Sequence, residues 1–108
     1  MSQDYLGEFE QMVLLSIMRL GDKAYGLAIR DELSSVAGRV PSSGSLYTTI
    51  DRMERKGLLE SHAGEATQER GGRPRRYLRL TIAGQSMLAR SRHRLMALWD
   101  GLEGALDQ

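Results

Sequence analysis

The sequence lacks cysteine and has only two histidines, His62 and His93, which lie far apart along the chain. Without thiols the chain forms no disulfide and offers no thiolate ligand to a metal. The two histidines show none of the spacing that is typical of a metal site. No nucleophile beside a base and no pocket carboxylate pair is recognisable. We therefore expect no metal, no other cofactor, no catalytic residue and no enzyme activity.

Long apolar stretches are also missing. No run of residues approaches the length that spans a bilayer, and the first residues lack the pattern of a signal peptide. We therefore expect a cytoplasmic protein without a membrane partner. The 108 residues, of which 41% are hydrophobic and 27% charged, suit one globular domain.

Charge is distributed unevenly along the chain, although the net charge is only +1. Residues 1–38 carry a net −3, residues 39–94 carry +7 and residues 95–108 carry −3. A basic middle segment between acidic ends produces a localised positive field. This distribution favours a polyanion such as nucleic acid as the partner.

Hydrophobic periodicity predicts three short helices, a β-hairpin and one long C-terminal helix. The expected fold class is mainly α with a small β-hairpin. Helices are predicted over residues 5–20, about 24–36, from a Ser42 or Ser43 cap to Gly57, and 82–106, with strands over 58–62 and 75–80 around a glycine-rich loop.

The third predicted helix is amphipathic. Leu46, Ile50 and Met53 form an apolar stripe at helical spacing, so the opposite face is polar. That face begins with small hydroxylated side chains, which allow close approach to a nucleic acid, and the free N–H groups of a helix start favour phosphate. An ordinary amphipathic helix with a solvated face remains the alternative. The candidate nucleic-acid contacts on this helix are Ser43, Gly44, Ser45, Tyr47, Thr48 and Arg52.

Different contacts are expected along this helix. Thr48 and Arg52 are predicted to reach base edges or the groove, whereas Ser43 and Ser45 are predicted to hold phosphates or to set the helix's approach. For Tyr47, a phosphate contact and packing beneath the hairpin both remain open.

The predicted hairpin carries a dense basic cluster. Arg70, Arg73, Arg75 and Arg76 lie within seven residues on a glycine-rich support and are candidate DNA contacts. A solvated loop is the alternative, and Arg76 shares a strand face with Leu78, so that pairing with an acid is also open. Three helices followed by such a hairpin are the order of a winged helix-turn-helix, in which the third helix enters the major groove and the hairpin, or wing, reaches the backbone or minor groove.

The long C-terminal helix has an apolar seam of heptad type. A helix of 25 residues spans about 37 Å, which is more than three short helices and a hairpin cover. We therefore expect its far half to pack against a second copy of the chain. The predicted dimer contacts are Leu88, Leu95, Leu98, Leu102 and Leu106.

Trp99 is the only tryptophan and lies on this seam. It either packs as an ordinary apolar side chain or borders a gap between two copies in which a flat apolar ligand stacks. Leu95 and Met96 then supply adaptable walls, which makes Leu95, Met96 and Trp99 the candidate effector site.

Five segments together carry a resemblance to one protein family. They are Ala24-Tyr25-Gly26 followed by Ile29, Ser43-Gly44-Ser45-Leu46-Tyr47, Arg52-Met53-Glu54-Arg55-Lys56-Gly57-Leu58, Arg70-Gly71-Gly72-Arg73-Pro74-Arg75-Arg76-Tyr77-Leu78 and Leu80-Thr81-Ile82-Ala83-Gly84. These segments closely resemble the PadR family of bacterial transcriptional regulators, in particular its short members with a single C-terminal dimerisation helix. The resemblance covers nearly the whole chain and includes the order of the motifs.

The resemblance implies a winged helix-turn-helix DNA-binding domain over residues 1–80 and a C-terminal dimerisation helix over residues 81–108. It further implies a homodimeric repressor that binds an inverted-repeat operator in double-stranded DNA and is released by a small aromatic or hydrophobic effector. A winged helix used only for protein–protein interaction is the alternative, since a fold does not fix a function. Such a module has little reason to concentrate +7 in residues 39–94.

Overall fold

The computed structural model describes residues 5–66 and 74–107. Over these residues the chain forms a mainly α structure with a two-stranded antiparallel hairpin, which confirms the predicted fold class. The elements are α1 (Glu8–Leu20), a 3₁₀ turn (Gly21–Lys23), α2 (Gly26–Ala37), α3 (Ser43–Arg55), β1 (Leu59–Ala66), β2 (Pro74–Leu80) and α4 (Ile82–Trp99).

The hydrophobic core lies between the first three helices and is closed by the hairpin. Each helix contributes one apolar stripe, as the sequence spacing predicts. Leu58, Leu59 and Leu78 cover the core from the hairpin side. The helix side chains that are no more than 1% exposed are Val13, Leu14 and Ile17 of α1, Ile29 and Leu33 of α2, and Leu46, Ile50 and Met53 of α3.

Both ends of α3 are fixed by local hydrogen bonds. Ser42 is the N-cap, and its hydroxyl accepts a hydrogen bond from the Ser45 N–H at 3.0 Å. Gly57 follows the helix with φ of +79°, a conformation that glycine adopts without strain. The N–H of Leu58 then donates to the Met53 carbonyl at 2.9 Å, which closes a Schellman motif.

The hairpin is longer on its first strand than the sequence predicts. The strand expected over residues 58–62 runs on to Ala66, because pairing with β2 continues to the Ala66–Pro74 pair beyond an irregularity after Ala63. The backbone N–H of Leu78 also donates to the Ala24 carbonyl at 2.8 Å, so that the base of the hairpin is joined to the entry of α2.

Thr81 joins the hairpin, α3 and α4. Its hydroxyl donates to the Gly57 carbonyl at 2.6 Å and accepts the Gly84 N–H at 3.0 Å as the N-cap of α4. A Cβ on Gly84 would lie only 2.1 Å from the Leu58 carbonyl oxygen. The first turn of α4 therefore packs directly on the backbone at the end of α3, and only glycine permits that approach.

The C-terminal helix is shorter than the sequence predicts. It ends at Trp99 after 18 residues, about 27 Å, and not at Leu106. Asp100 leaves helical geometry with ψ of 124°, and Gly101 adopts φ of +84°. The prediction was wrong because apolar spacing continues past this point, whereas the backbone turns at the glycine. Leu102 and Leu106 accordingly lie beyond the end of the helix.

Leu88 requires a second correction. We predicted it on the dimer seam, but it is only 8% exposed and belongs to the core of its own chain. The next seam residue, Leu95, lies one heptad further along α4, about two helical turns, and is 49% exposed. Within residues 5–66 and 74–107, no helix has both the length and the apolar character needed to cross a membrane.

Candidate nucleic-acid interface

The outward face of α3 is polar over its first two turns. Burial of Leu46 and Ile50 turns the opposite side of the helix to solvent. Side chains on that side are small or hydroxylated, and no described acid lies on it before Asp51. The exposed residues are Ser43, Gly44, Ser45, Tyr47 and Thr48, all of which were predicted DNA contacts.

Tyr47 packs against α2. A Cβ on Gly26 would lie 1.8 Å from the Tyr47 hydroxyl oxygen, so the phenol ring occupies the space that glycine leaves at the first turn of α2. Tyr47 remains 41% exposed. The ring thus packs at the start of α2 while part of it stays exposed, and a phosphate contact from Tyr47 stays a prediction.

Arg52 is held by a carboxylate from α1. Its Nε donates to Glu10 Oε2 at 3.2 Å, and Lys56 Nζ lies 3.7 Å from the same oxygen. The other oxygen of Glu10 accepts the Gly7 N–H at 2.9 Å. Burial raises the pKa of Glu10, but the Gly7 hydrogen bond and the positive charges of Lys56 and Arg52 outweigh it, so that the pKa lies below its ordinary value.

Arg76 connects the wing to α3. Its guanidinium pairs with Asp51 at 3.1 Å and with Glu54, whose other oxygen accepts the Ser61 hydroxyl at 2.7 Å. These hydrogen bonds lower the pKa of Glu54, first through Ser61 and then through Arg76. The pairing of Arg76 with an acid, which its strand face indicated, is confirmed. A DNA contact from Arg76 stays a prediction, and it would have to share or break this pairing.

Arg75 lies on the opposite face of the wing, within an aromatic cluster. Its guanidinium carbon is 4.2 Å from the centre of the Tyr25 ring, a cation–π contact. Tyr25 meets Tyr77 edge to face at 5.7 Å, and Tyr77 stacks on His62 at 5.7 Å. Arg75 is therefore half-buried near the start of β2. The predicted contacts Arg70 and Arg73 lie outside the described residues.

A separate apolar face covers the far half of α4. Leu95, Met96, Leu98 and Trp99 are between 39% and 75% exposed, which is unusual for so many large apolar side chains on one helix. Two open hollows lie on this face. One of about 270 Å³ lies between the end of α4 and the turns after it, where Leu102, Ala105 and Leu106 complete its lining.

The second hollow, of about 530 Å³, lies between α1 and α4. Gln11, Leu15 and Met18 line it from α1, and Met96 and Trp99 are among its lining residues on α4. Leu95, Met96 and Trp99, the predicted effector residues, thus lie together on the walls of this open apolar hollow.

No group of three side chains that could bind a metal ion occurs within residues 5–66 and 74–107.

Comparison with protein families gives a match over residues 14–90 to the transcriptional regulator PadR-like family. The chain belongs to this family. PadR-like proteins are transcription regulators and not enzymes. The chain is therefore a DNA-binding transcription regulator with a winged-helix fold, and it is not an enzyme. No curated protein matches the sequence.

Several solved structures of PadR-like regulators share the fold. One from Bacillus cereus is 21% identical with a TM-score of 0.73, and the match covers 93% of this chain and 92% of that one. One from Eggerthella lenta is 29% identical with a TM-score of 0.67, covering 94% and 88%. One from Clostridium difficile is 23% identical with a TM-score of 0.67, covering 93% and 96%.

Two contributors to this interface were not predicted as site residues. Glu10 lies 42 residues before Arg52, and Glu54 lies 22 residues before Arg76, so no local spacing relates either carboxylate to its arginine. For Glu54, the strand face of Arg76 at least indicated that some acid lay opposite.

Replacing Glu54 by Gln tests the connection between wing and α3. A lowered pKa means that ionised Glu54 stabilises the folded state above its ordinary pKa of 4.5 and that this contribution is lost as the pH falls through the lower folded value. We expect Glu54→Gln to lower the free energy of unfolding at pH 7 by at most about 1 kcal/mol. At pH 3 the difference from wild type should be smaller, as measured by urea unfolding at both pH values.

The control is Glu60→Gln in the same hairpin. Glu60 pairs with Arg79 at 2.6 Å, but both side chains are at least half exposed, so little stability should be lost. An equal loss for Glu54→Gln at pH 7 and pH 3 would contradict the assigned role of its charge.

Proposed function

We propose that the chain is a homodimeric repressor that binds an inverted-repeat operator in double-stranded DNA. The observation that carries the proposal is the exposed, hydroxylated start of α3 on a domain of the PadR-like family. In this arrangement Thr48 and Arg52 read base edges in the major groove, and Ser43, Ser45 and Tyr47 bind phosphates. Such a regulator works in the bacterial cytoplasm, where operator DNA lies.

The wing extends this contact to the flanking backbone or minor groove. Arg76 fixes the angle of the hairpin to α3 through Asp51 and Glu54. Arg75 is held over Tyr25, and Arg70 and Arg73 belong to the segment that connects the two strands. The four arginines give the wing segment its positive charge, which favours DNA over a partner protein as its ligand.

A second copy of the chain is the proposed occupant of the apolar face on α4. PadR-like regulators typically form dimers. The radius of gyration is 15.7 Å, whereas a compact domain of this length has one of about 13 Å, because part of the molecule projects from the core. Leu95, Leu98, Leu102 and Leu106 form the proposed contact, with residues 81–108 as the dimerisation segment and residues 1–80 as the DNA-binding domain.

Thr48→Ala tests sequence reading by α3. Duplexes are first selected by the wild type from a random pool, and binding to the selected and to a random duplex is then titrated over a range of salt concentrations. We expect Thr48→Ala to lower the ratio of the two affinities about tenfold, the scale of one lost base contact. Both affinities should fall steeply as salt rises, because phosphate contacts release counterions.

Ser86→Ala, an exposed hydroxyl on α4, is the matched control and should bind as wild type does. A wild type that selects no sequence would overturn the proposal and favour the protein–protein interaction module.

Leu98→Glu tests the dimer. Leu98 is 75% exposed on the single chain, so the substitution costs the isolated fold little, whereas a carboxylate inside an apolar interface is unpaired and strongly unfavourable. We expect sedimentation to show a dimer for the wild type and a monomer for Leu98→Glu. The control Ile82→Glu changes a residue that is 86% exposed at the other end of α4, and it should remain dimeric. Dimeric Leu98→Glu would contradict this interface.

We further propose that a small aromatic or hydrophobic effector binds beside Trp99 and weakens operator binding. Leu95 lines both apolar hollows, and Met96 lines the larger one with Trp99. A flat ligand in the larger hollow stacks on the indole of Trp99 and displaces α1 relative to α4. This displacement changes the distance between the α3 helices of the two copies, so that they no longer fit into successive major grooves.

Fluorescence of Trp99 tests the effector site, since the chain has no other tryptophan. Among planar aromatic compounds, those that release operator DNA are expected to change this fluorescence, and Met96→Ala is expected to weaken their binding severalfold. The control Val40→Ala, at an exposed apolar residue between α2 and α3, should bind them unchanged. Compounds that release DNA without altering the fluorescence would refute the site.

A further inference from the structure

Among the described residues, Glu10 is the one acid of α1 that contacts a predicted base-reading side chain, Arg52. The Glu10 side chain is only 12% exposed, whereas that of Arg52 is 41% exposed. Its Oε1 is fixed by the Gly7 N–H at 2.9 Å, within the first turn of α1. The remaining oxygen, Oε2, faces α3 and accepts Arg52 Nε at 3.2 Å. The Glu10 carboxylate is therefore held in place by α1 independently of its contact with Arg52.

The contact uses a particular nitrogen of Arg52. A guanidinium has five N–H donors, of which one is on Nε and four are on the two terminal nitrogens. Glu10 occupies the Nε donor, and within residues 5–66 and 74–107 the terminal nitrogens of Arg52 have no other hydrogen-bond partner. The two terminal nitrogens together form the fork that binds O6 and N7 of guanine.

We propose that Glu10 is a positioning residue for DNA sequence recognition: it holds Arg52 by Nε and directs the two terminal nitrogens towards the base edge. The inference rests on the proposed function, in which Arg52 meets the major groove. A long side chain that is already held in its binding conformation loses less freedom when DNA binds. Glu10 touches no base itself and acts through Arg52.

The same carboxylate also acts against unspecific binding. Glu10 partly neutralises Arg52 and lies 3.7 Å from Lys56, so both cations attract phosphate less strongly than free ones would. Removing the acid should therefore leave affinity for a random duplex equal or higher while lowering the preference for the selected one. A variant that is merely unfolded or loosened would instead lose affinity for both duplexes.

The test is a double-mutant cycle on the dimeric protein with a duplex selected by the wild type and a random duplex. Glu10→Ala is expected to lower the ratio of the two affinities about tenfold, the scale of one bidentate base contact, and to leave random-duplex affinity equal or higher. Arg52→Ala should lower the ratio similarly. In the Arg52→Ala background, Glu10→Ala should no longer change the ratio, because the arginine that it positions is gone.

Two further variants separate positioning from folding. Glu10→Gln keeps the length of the side chain but has a single oxygen acceptor, so it can accept from the Gly7 N–H or from Arg52 Nε but not from both, and it lacks the charge. It should raise random-duplex affinity and lose no more selectivity than Glu10→Ala. Glu32→Ala removes the ion pair of Glu32 with Arg19, at 2.6 Å between α1 and α2, and should leave both affinities unchanged. A loss of selectivity in Glu10→Ala that persists in full in the Arg52→Ala background overturns the proposal, as does a parallel loss of both affinities.

A readout without DNA distinguishes failure of this inference from failure of the proposed function. In the free protein, the Arg52 Nε–H resonance, assigned by its loss in Arg52→Ala, should exchange slowly with water in the wild type and rapidly in Glu10→Ala. Slow exchange together with a wild type that selects no duplex would refute the DNA-reading function. A selective wild type whose selectivity is unchanged in Glu10→Ala would refute the role of Glu10 alone.

Discussion

Burial of the α3 stripe fixes the rotation of this helix about its axis, and most other contacts of the site depend on it. Leu46, Ile50 and Met53 are each no more than 1% exposed. Burial of this stripe leaves Thr48, on the opposite side of the helix, exposed to solvent, and Arg52, one turn further along, contacts Glu10 of α1. Turning the helix by one residue, about 100°, would expose the stripe and remove Arg52 from Glu10. Core packing and the exposed polar face of α3 are thus two consequences of one constraint.

The wing is held at its base from both faces. On one face Arg76 joins it to α3 through Asp51 and Glu54, and on the other Tyr77 packs edge to face on Tyr25 at the entry of α2. Next to Tyr77 along β2, the Leu78 N–H donates to the Ala24 carbonyl at 2.8 Å. A hairpin of two strands is marginal by itself. Here its direction relative to α3 is set by ion pairs, aromatic packing and backbone bonds together, so that wing and recognition helix present one surface.

The sequence predicts what local periodicity controls and misses what joins distant segments. The α3 stripe, a cap at Ser42 or Ser43 and the strand face of Arg76 each follow from spacing of a few residues, and the structure agrees with them, with Ser42 as the cap. The end of α4 could not be predicted in this way. The heptad spacing of apolar residues continues through Leu102, although the backbone leaves the helix before it and turns at Gly101, where φ is +84°. The Glu10–Arg52 contact joins residues 42 apart, and only the packing of α1 on α3 brings them together.

Neighbouring residues of α1 face two different parts of the molecule. Glu10 binds Arg52 of α3, and Gln11 lines the hollow that α1 forms with Met96 and Trp99 of α4. A helix of 13 residues transmits displacement along its length as a nearly rigid rod, because its backbone hydrogen bonds resist bending. A shift of α1 by about 1 Å would lengthen the 3.2 Å contact beyond hydrogen-bond range. Whatever moves α1 against α4 therefore also acts on the orientation of Arg52, so the apolar hollow and this arginine are mechanically connected through one turn of helix.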